Sequence, residues 1–357
     1  MLTGVSGAAR ADTLRLVTRR LACGARQAGN ATGEKICRSV CFNAPTSGAL
    51  IGPDSLTRIV TEGEALGFDY VTISDHIMVP RHLDSKYPYT NTGEFPAGTQ
   101  AAWLEQLATT AYIAALTTKL RFVLSVMVVP HRPAVLTAKV LSTIDFLSKG
   151  RLTLGIGVGW CREEFEAIGA APFDDRGHVT DEWMAACKEL WTAESPKFTG
   201  KYVKFDDVEF TPKPVQNPIP IWVGGESGPA LRRTVNYAHG WYPVGTNPQF
   251  PMNTVSRFKT GLARLNRFAE KAGRDPKEIT IALRVLTGPK TRPRRSIEDE
   301  AEMFTGGDAD WVTDIRELAQ LGVSAVDVRL FDYGADQSLD ATIGNMHRFR
   351  DGVLAKL

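Results

Sequence analysis

The sequence has no apolar run approaching the ~20 residues an α-helix needs to span a bilayer, so no membrane helix is expected. Cysteine is sparse: Cys23, Cys37, Cys41, Cys161 and Cys187 are scattered, odd in number and form no Cys-x-x-Cys pair. That argues against a disulfide framework and for a reduced, cytoplasmic chain. The histidines are equally dispersed, with no His-x-His, no His-Glu-x-x-His and no Cys/His cluster of zinc spacing, so no metal is expected. An excess of one charge is lacking too, since 42 Lys and Arg face 40 Asp and Glu for a net charge of +2. Such a balance leaves no electrostatic footprint for nucleic acid. Nor is there a low-complexity segment, because 32 Gly and 20 Pro in 357 residues are ordinary usage.

What is present is a chain that is 43% hydrophobic and 23% charged, long enough for two domains or one large α/β barrel. The small positive charge is concentrated at the start. Residues 1–35 hold Arg10, Arg15, Arg19, Arg20, Arg26 and Lys35 against Asp12 and Glu34, which leaves the rest of the chain slightly acidic. This stretch lacks the continuous apolar core of a secretory signal and is expected to be a disordered basic tail, with a transit-like segment or an upstream start codon as alternatives. Residues 36–357 then form a single domain.

From residue 36 onward, short β-branched runs alternate with amphipathic stretches. Strands are expected at Cys37 to Asn43, Tyr70 to Ser74, Leu120 to Val126, Leu152 to Gly157, Ile219 to Val223, Gly240 to Val244, Ile279 to Val285 and Ala325 to Leu330. Helices are expected at Asp54 to Leu66, Gln100 to Leu116, Ala134 to Leu147, Asp174 to Trp191, Gly228 to Ala238, Pro251 to Ala272, Asp310 to Leu321 and near Asp340 to Leu354. Eight strands, each followed by a helix, is the count of a closed parallel (β/α)8 TIM-type barrel. The first strand ends in Phe42-Asn43-Ala44-Pro45 without the Gly-x-Gly-x-x-Gly turn of a dinucleotide-binding open sheet, which favours the barrel. Two stretches break the spacing: Ile77 to Thr99 after the second strand, expected to be a lid, and Ser195 to Pro218 before the fifth, which reads as a hairpin excursion.

Reactive residues of a barrel gather at the carboxyl ends of its strands. Here those ends read Ser74-Asp75-His76, then Ser125-Val126-Met127-Val128 running to His131-Arg132, then Gly157-Val158-Gly159-Trp160, and Gly224-Gly225-Glu226-Ser227-Gly228. An imidazole with a reference pKa of about 6.5 can exchange a proton near neutrality, so His76 at a strand end is either a functional group or a histidine hydrogen-bonded in a loop. Gly224 and Gly225, followed by Ser227 and Gly228 at a helix start, could offer N–H groups to a phosphate, the plain alternative being a turn capped by Ser227.

Between about Ser39 and Trp241 the sequence resembles the luciferase-like flavin and deazaflavin oxidoreductases, and within them the branch that uses the 8-hydroxy-5-deazaflavin coenzyme F-420. The resemblance is carried in order by Gly67-Phe68-Asp69-Tyr70-Val71, Ser74-Asp75-His76, Tyr87-Pro88-Tyr89, Trp103-Leu104-Glu105, Leu147-Ser148-Lys149-Gly150-Arg151, Gly157-Val158-Gly159-Trp160 with Glu163-Glu164-Phe165, and Pro218 to Gly225. It implies a hydride-transferring oxidoreductase acting on a small organic substrate, with His76 at the reactive face of the coenzyme. Asp75 would bond the coenzyme or orient His76. The resemblance further implies a bulge with a non-prolyl cis peptide at Ser125-Val126 against the ring, Val128 on the same wall, and Gly157, Val158 and Gly159 beside the coenzyme. Glu163 falls where the family's sugar-phosphate dehydrogenase has an asparagine and counts as a coenzyme-side candidate; a salt-bridged helix start shared by Glu163, Glu164 and Arg176 is the plain reading. Trp160 replaces that enzyme's catalytic carboxylate and Pro80 its tryptophan, so glucose-phosphate oxidation is not expected. Trp160 and His131 are candidates for the substrate pocket, the alternative for His131 being a solvated loop pair with Arg132. A reduced-FMN monooxygenase resembling alkanesulfonate monooxygenase is the alternative function, and a non-catalytic flavin-binding protein a third. The flavin branch more typically carries a glutamate before its histidine. Homodimers are frequent in the family.

Overall fold

The computed structural model of the protein describes residues 39–98, 102–286, 293–330 and 338–357. The basic segment 1–35 lies outside the described residues. Eight parallel strands form the barrel: β1 Ser39–Asn43, β2 Tyr70–Ile73, β3 Arg121–Leu124 resuming at Met127–Val128, β4 Leu152–Gly157, β5 Ile221–Gly224, β6 Gly240–Tyr242, β7 Thr280–Val285 and β8 Val323–Val328. Each pairs with its sequence neighbour, and β8 returns to β1 through Ser39 opposite Ala325, which closes the sheet. The helices are α1 Pro53–Ala65, α2 Gln106–Leu116, α3 Ala134–Leu147, α4 Arg162–Ala167, α5 Arg176–Thr192, α6 Gly228–Tyr237, α7 Val255–Lys271, α8 Asp308–Gln320 and α9 Leu339–Gly352. The short α4 and a hairpin of Ser296–Ile297 with Glu300–Ala301 were not anticipated from the sequence; each is too brief for periodicity to declare it. The expected hairpin before β5 is present, Phe198–Thr199 pairing with Lys204–Phe205.

Alternation along the strands divides the molecule into two layers. Outward residues such as Phe42, Val71, Phe122, Leu154, Val223 and Val326 meet the helices in one continuous core. Inward residues make a smaller interior cluster of Cys41, Val123, Trp222, Tyr242, Ala282 and Ala325. Toward the carboxyl ends the inward positions turn polar: Thr72, Ser125, Tyr242, Arg284 and Asp327 form one buried network. The Ser125 hydroxyl lies 2.9 Å from the Tyr242 hydroxyl, and Tyr242 donates to Asp327. Arg284 donates to the Ser125 carbonyl at 2.6 Å and to its hydroxyl. This network underlies the point where β3 is interrupted, at a cis Ser125–Val126 peptide. No described helix is long and apolar enough to cross a membrane.

Candidate active site

The strand ends and the segment after β2 enclose a cavity. His76, Asp75, Ser125, Val126, Val128, His131, Gly159, Trp160 and Gly224 all line it. Of the other sequence candidates, Gly157 lies one step down at the end of β4, where a Cβ would approach a Val126 methyl to 2.7 Å. Gly225 is left-handed at φ +97 and accepts from the Trp241 indole N–H through its carbonyl. Ser227 caps α6 by accepting from Ala230 N–H at 3.4 Å, and Gly228 is the first residue of that helix.

His76 is buried and its Nδ1 lies 2.8 Å from Glu164 Oε2. Glu164 sits in the first turn of α4 and is only 1% exposed. Its other oxygen accepts Ile77 N–H at 2.8 Å and Met78 N–H at 3.3 Å. A carboxylate that takes donors on both oxygens fixes the imidazole as the Nδ1–H tautomer and leaves Nε2 as the ring's acceptor. The orienting group of His76 is therefore Glu164 and not Asp75.

Asp75 has a different task. Arg132 donates to both of its oxygens, at 2.8 and 2.7 Å, and Val128 N–H donates at 2.8 Å. The guanidinium fork matches a carboxylate's two oxygens, so Asp75 ties the outgoing backbone of β3 to Arg132. Arg132 also reaches Glu105 at 2.7 Å. Burial disfavours its charge, but the two carboxylates outweigh burial and raise its pKa. The expected solvated loop pair of His131 and Arg132 is thus corrected: His131 is 7% exposed, and the Arg132 side chain 11%.

Glu163 and Glu164 do not pair with Arg176, which stacks on Phe173 at 3.9 Å and donates to its carbonyl. Glu163 instead accepts Asp84 N–H at 2.7 Å and Ser85 N–H at 2.9 Å, pinning the segment after β2 to the start of α4. Burial opposes its charge, yet the hydrogen bonds from its own backbone, Ser85 and Asp84 prevail and hold its carboxyl at about 2. It does not line the cavity.

The pinned segment lays aromatic rings over His76. Phe95 and Trp103 stand 5.1 and 4.7 Å from the imidazole, and Trp160 closes a third side at 6.2 Å. Tyr87 packs edge-on against Trp160 at 5.2 Å. Sequence reasoning assigned no site role to Glu164, Tyr87, Phe95, Trp103, Tyr242 or Arg284. The acidic residue in the first turn after a glycine-rich strand end was the one signal that could have pointed to Glu164.

Two further groups are unusual. Both ring nitrogens of buried His131 lack a hydrogen-bond partner among the described residues, and the ring stands edge-on to Phe165 at 4.6 Å. An unmade bond of a buried polar group costs about 1–3 kcal/mol, and burial lowers the pKa of His131 so that the ring is held neutral. Glu226, 2% exposed, accepts Val244 N–H at 2.6 Å and the Asn247 amide; burial lifts its pKa to about 7.

The model of the luciferase-like monooxygenases matches residues 36–316. The chain belongs to the luciferase-like monooxygenase family.

An uncharacterized protein of Mycobacterium tuberculosis is 33% identical over 300 residues, spanning 82% of this chain and 92% of that one. The FMNH2-dependent dimethylsulfone monooxygenase of Pseudomonas putida is 35% identical over 135 residues, 37% of each chain. A solved F-420-dependent secondary alcohol dehydrogenase, in complex with an F-420–acetone adduct, superposes with a TM-score of 0.68 at 15% identity over 90% of this chain and all of that one. Luciferase-like family members are oxidoreductases, and the named monooxygenase and the structural neighbour use different coenzymes. Val126, Val128, Gly159 and Gly224 line the cavity together and would hold a flat ring of either kind. At Gly224 a Cβ would stand 3.1 Å from a Val126 methyl, and at Gly159, with φ +85, it would strike Val128 and Phe165 at 2.8 and 2.6 Å. Glycine at both positions therefore lets Val126, Val128 and Phe165 pack directly against the backbone, which sets the wall beside the bulge.

Proposed function

We propose that the protein is a coenzyme F-420-dependent oxidoreductase that transfers hydride between the deazaflavin and a small, largely apolar organic substrate. The observation that carries this reading is the Glu164–His76 pair, set in the cavity beside the wall of Val126, Val128, Gly159 and Gly224. When bound, the deazaflavin supplies a two-electron hydride couple and no oxygen activation. Glu164 holds His76 Nδ1–H, so Nε2 can take a proton from a substrate hydroxyl or return one to a carbonyl. Val126, Val128, Gly159 and Gly224 would hold the ring, and Ser227 at the start of α6 would present N–H groups to a phosphate of its tail. Tyr87, Phe95, Trp103 and Trp160 exclude water and favour an apolar substrate. Ser74-Asp75-His76, rather than a glutamate before the histidine, supports the deazaflavin.

The second reading is reduced-FMN monooxygenation, favoured by the likeness to the dimethylsulfone monooxygenase. Fluorescence titration of the purified protein with oxidised F-420 and with FMN separates the two. Tight FMN binding with no F-420 binding refutes the first reading.

A further inference from the structure

The polar groups around the cavity are largely engaged with one another. His76 is held by Glu164, Asp75 by Arg132 and Val128, and Ser125 by Tyr242 and Arg284. His131 differs. Its ring lines the cavity, is 7% exposed, and has neither nitrogen hydrogen-bonded among the described residues. A leucine would fill such a place against Phe165 without burying two unmatched polar atoms, so packing does not account for a histidine here.

We propose that His131 selects the substrate, offering the hydrogen bond by which an uncharged oxygen function on an aromatic or alicyclic body is recognised. This rests on the cavity being the substrate site of the oxidoreductase proposed above. A neutral imidazole has one donor and one acceptor and exchanges them by tautomerism, so it can meet a hydroxyl and the carbonyl derived from it. The rings of Phe95, Trp103 and Trp160 suit a flat or cyclic body, and a charged head would have to shed its water among them, while Arg284 and Arg329, which also line the cavity, already have partners.

The test uses coenzyme-saturated protein and four probes of one skeleton: acetophenone, 1-phenylethanol, ethylbenzene and benzoate, followed by quenching of tryptophan fluorescence. Wild type should bind the ketone and alcohol at least about tenfold more tightly than ethylbenzene, because a site built for a hydrogen bond rejects a ligand lacking it. Benzoate should bind no better than ethylbenzene. His131→Leu should bring ketone, alcohol and hydrocarbon to within about twofold of one another, and His131→Gln, which keeps a donor and an acceptor, should restore part of the difference. Without ligand, His131→Leu should melt higher than wild type, since two unmatched nitrogens leave the interior. Equal binding by wild type, discrimination kept in His131→Leu, a lower melting temperature for that variant, or no binding of any probe overturns the inference. Failure of wild type to bind either coenzyme overturns the proposed function instead.

Discussion

Replacing Glu164 by glutamine keeps the side chain's shape and removes its charge, and the structure restricts what can follow. Three donors converge on Glu164: His76 Nδ1 at 2.8 Å, Ile77 N–H at 2.8 Å and Met78 N–H at 3.3 Å. A glutamine amide brings one acceptor oxygen and an NH2 group. If the oxygen stays with the two backbone donors, the NH2 faces His76 Nδ1 and forces the tautomer whose Nε2 carries the proton. Loss of the correct tautomer or of a positioned base lowers turnover by about 10²–10⁴-fold. If the amide flips to keep Nδ1–H, its NH2 confronts the two backbone N–H groups, and each unmet buried donor costs about 1–3 kcal/mol. Glu164→Gln should therefore lose at least about 10² in turnover, or melt several degrees lower, or both. His76→Ala, measured alongside, should abolish turnover with coenzyme affinity within a few-fold of wild type. Steady-state rates with saturating coenzyme and a thermal melt of each variant decide it. A Glu164→Gln protein within about threefold of wild-type turnover and with an unchanged melt would refute the orienting role.

Three other outcomes are expected. Glu163→Ala releases Asp84 and Ser85 from α4, so their amide hydrogen exchange should rise and KM should increase by about tenfold with turnover less affected; unchanged exchange there refutes the pin. Glu226, lifted to about 7, holds in the folded state a proton that the unfolded chain releases near 4.5, so its contribution is full below pH 4.5 and fades as pH rises through 7. Wild type should accordingly lose up to about 3 kcal/mol more stability than Glu226→Gln between pH 5 and 8 in denaturant melts, and parallel pH profiles of the two would contradict the assignment. Leu136 and Leu147, 62% and 71% exposed, stand about three turns apart on one stripe of α3, a face suited to a second copy of the chain. Sedimentation should show a dimer that Leu136→Glu with Leu147→Glu dissociates; a monomeric wild type at micromolar concentration excludes it.

Much of the architecture was legible because its signals are local. Short β-branched runs marked the strands, Pro53 and Gly67 bounded the first helix, and the contiguous Ser74-Asp75-His76 placed a histidine at a strand end. The short α4 and the hairpin at Ser296–Ala301 were missed, since elements this short repeat their period at most once or twice, too few times to stand out in the sequence. The site was legible only in outline. Glu164 lies 88 residues from the histidine it orients, and Arg132 lies 57 from Asp75. Nothing near either carboxylate in the sequence says which donor it will meet.

The sequence by itself determined a closed α/β barrel and placed His76 at one of its strand ends, because hydrophobic period and turn residues act within a few positions of themselves. Tertiary structure alone decided the division of labour between carboxylates. Barrel closure and the path of the segment after β2 brought Glu164 to His76, left Asp75 to Arg132, and enclosed His131 with no hydrogen-bond partner among the described residues. Such pairings depend on angstrom-scale register between elements distant in sequence, and hydrogen bonds and buried charges are sensitive to that scale.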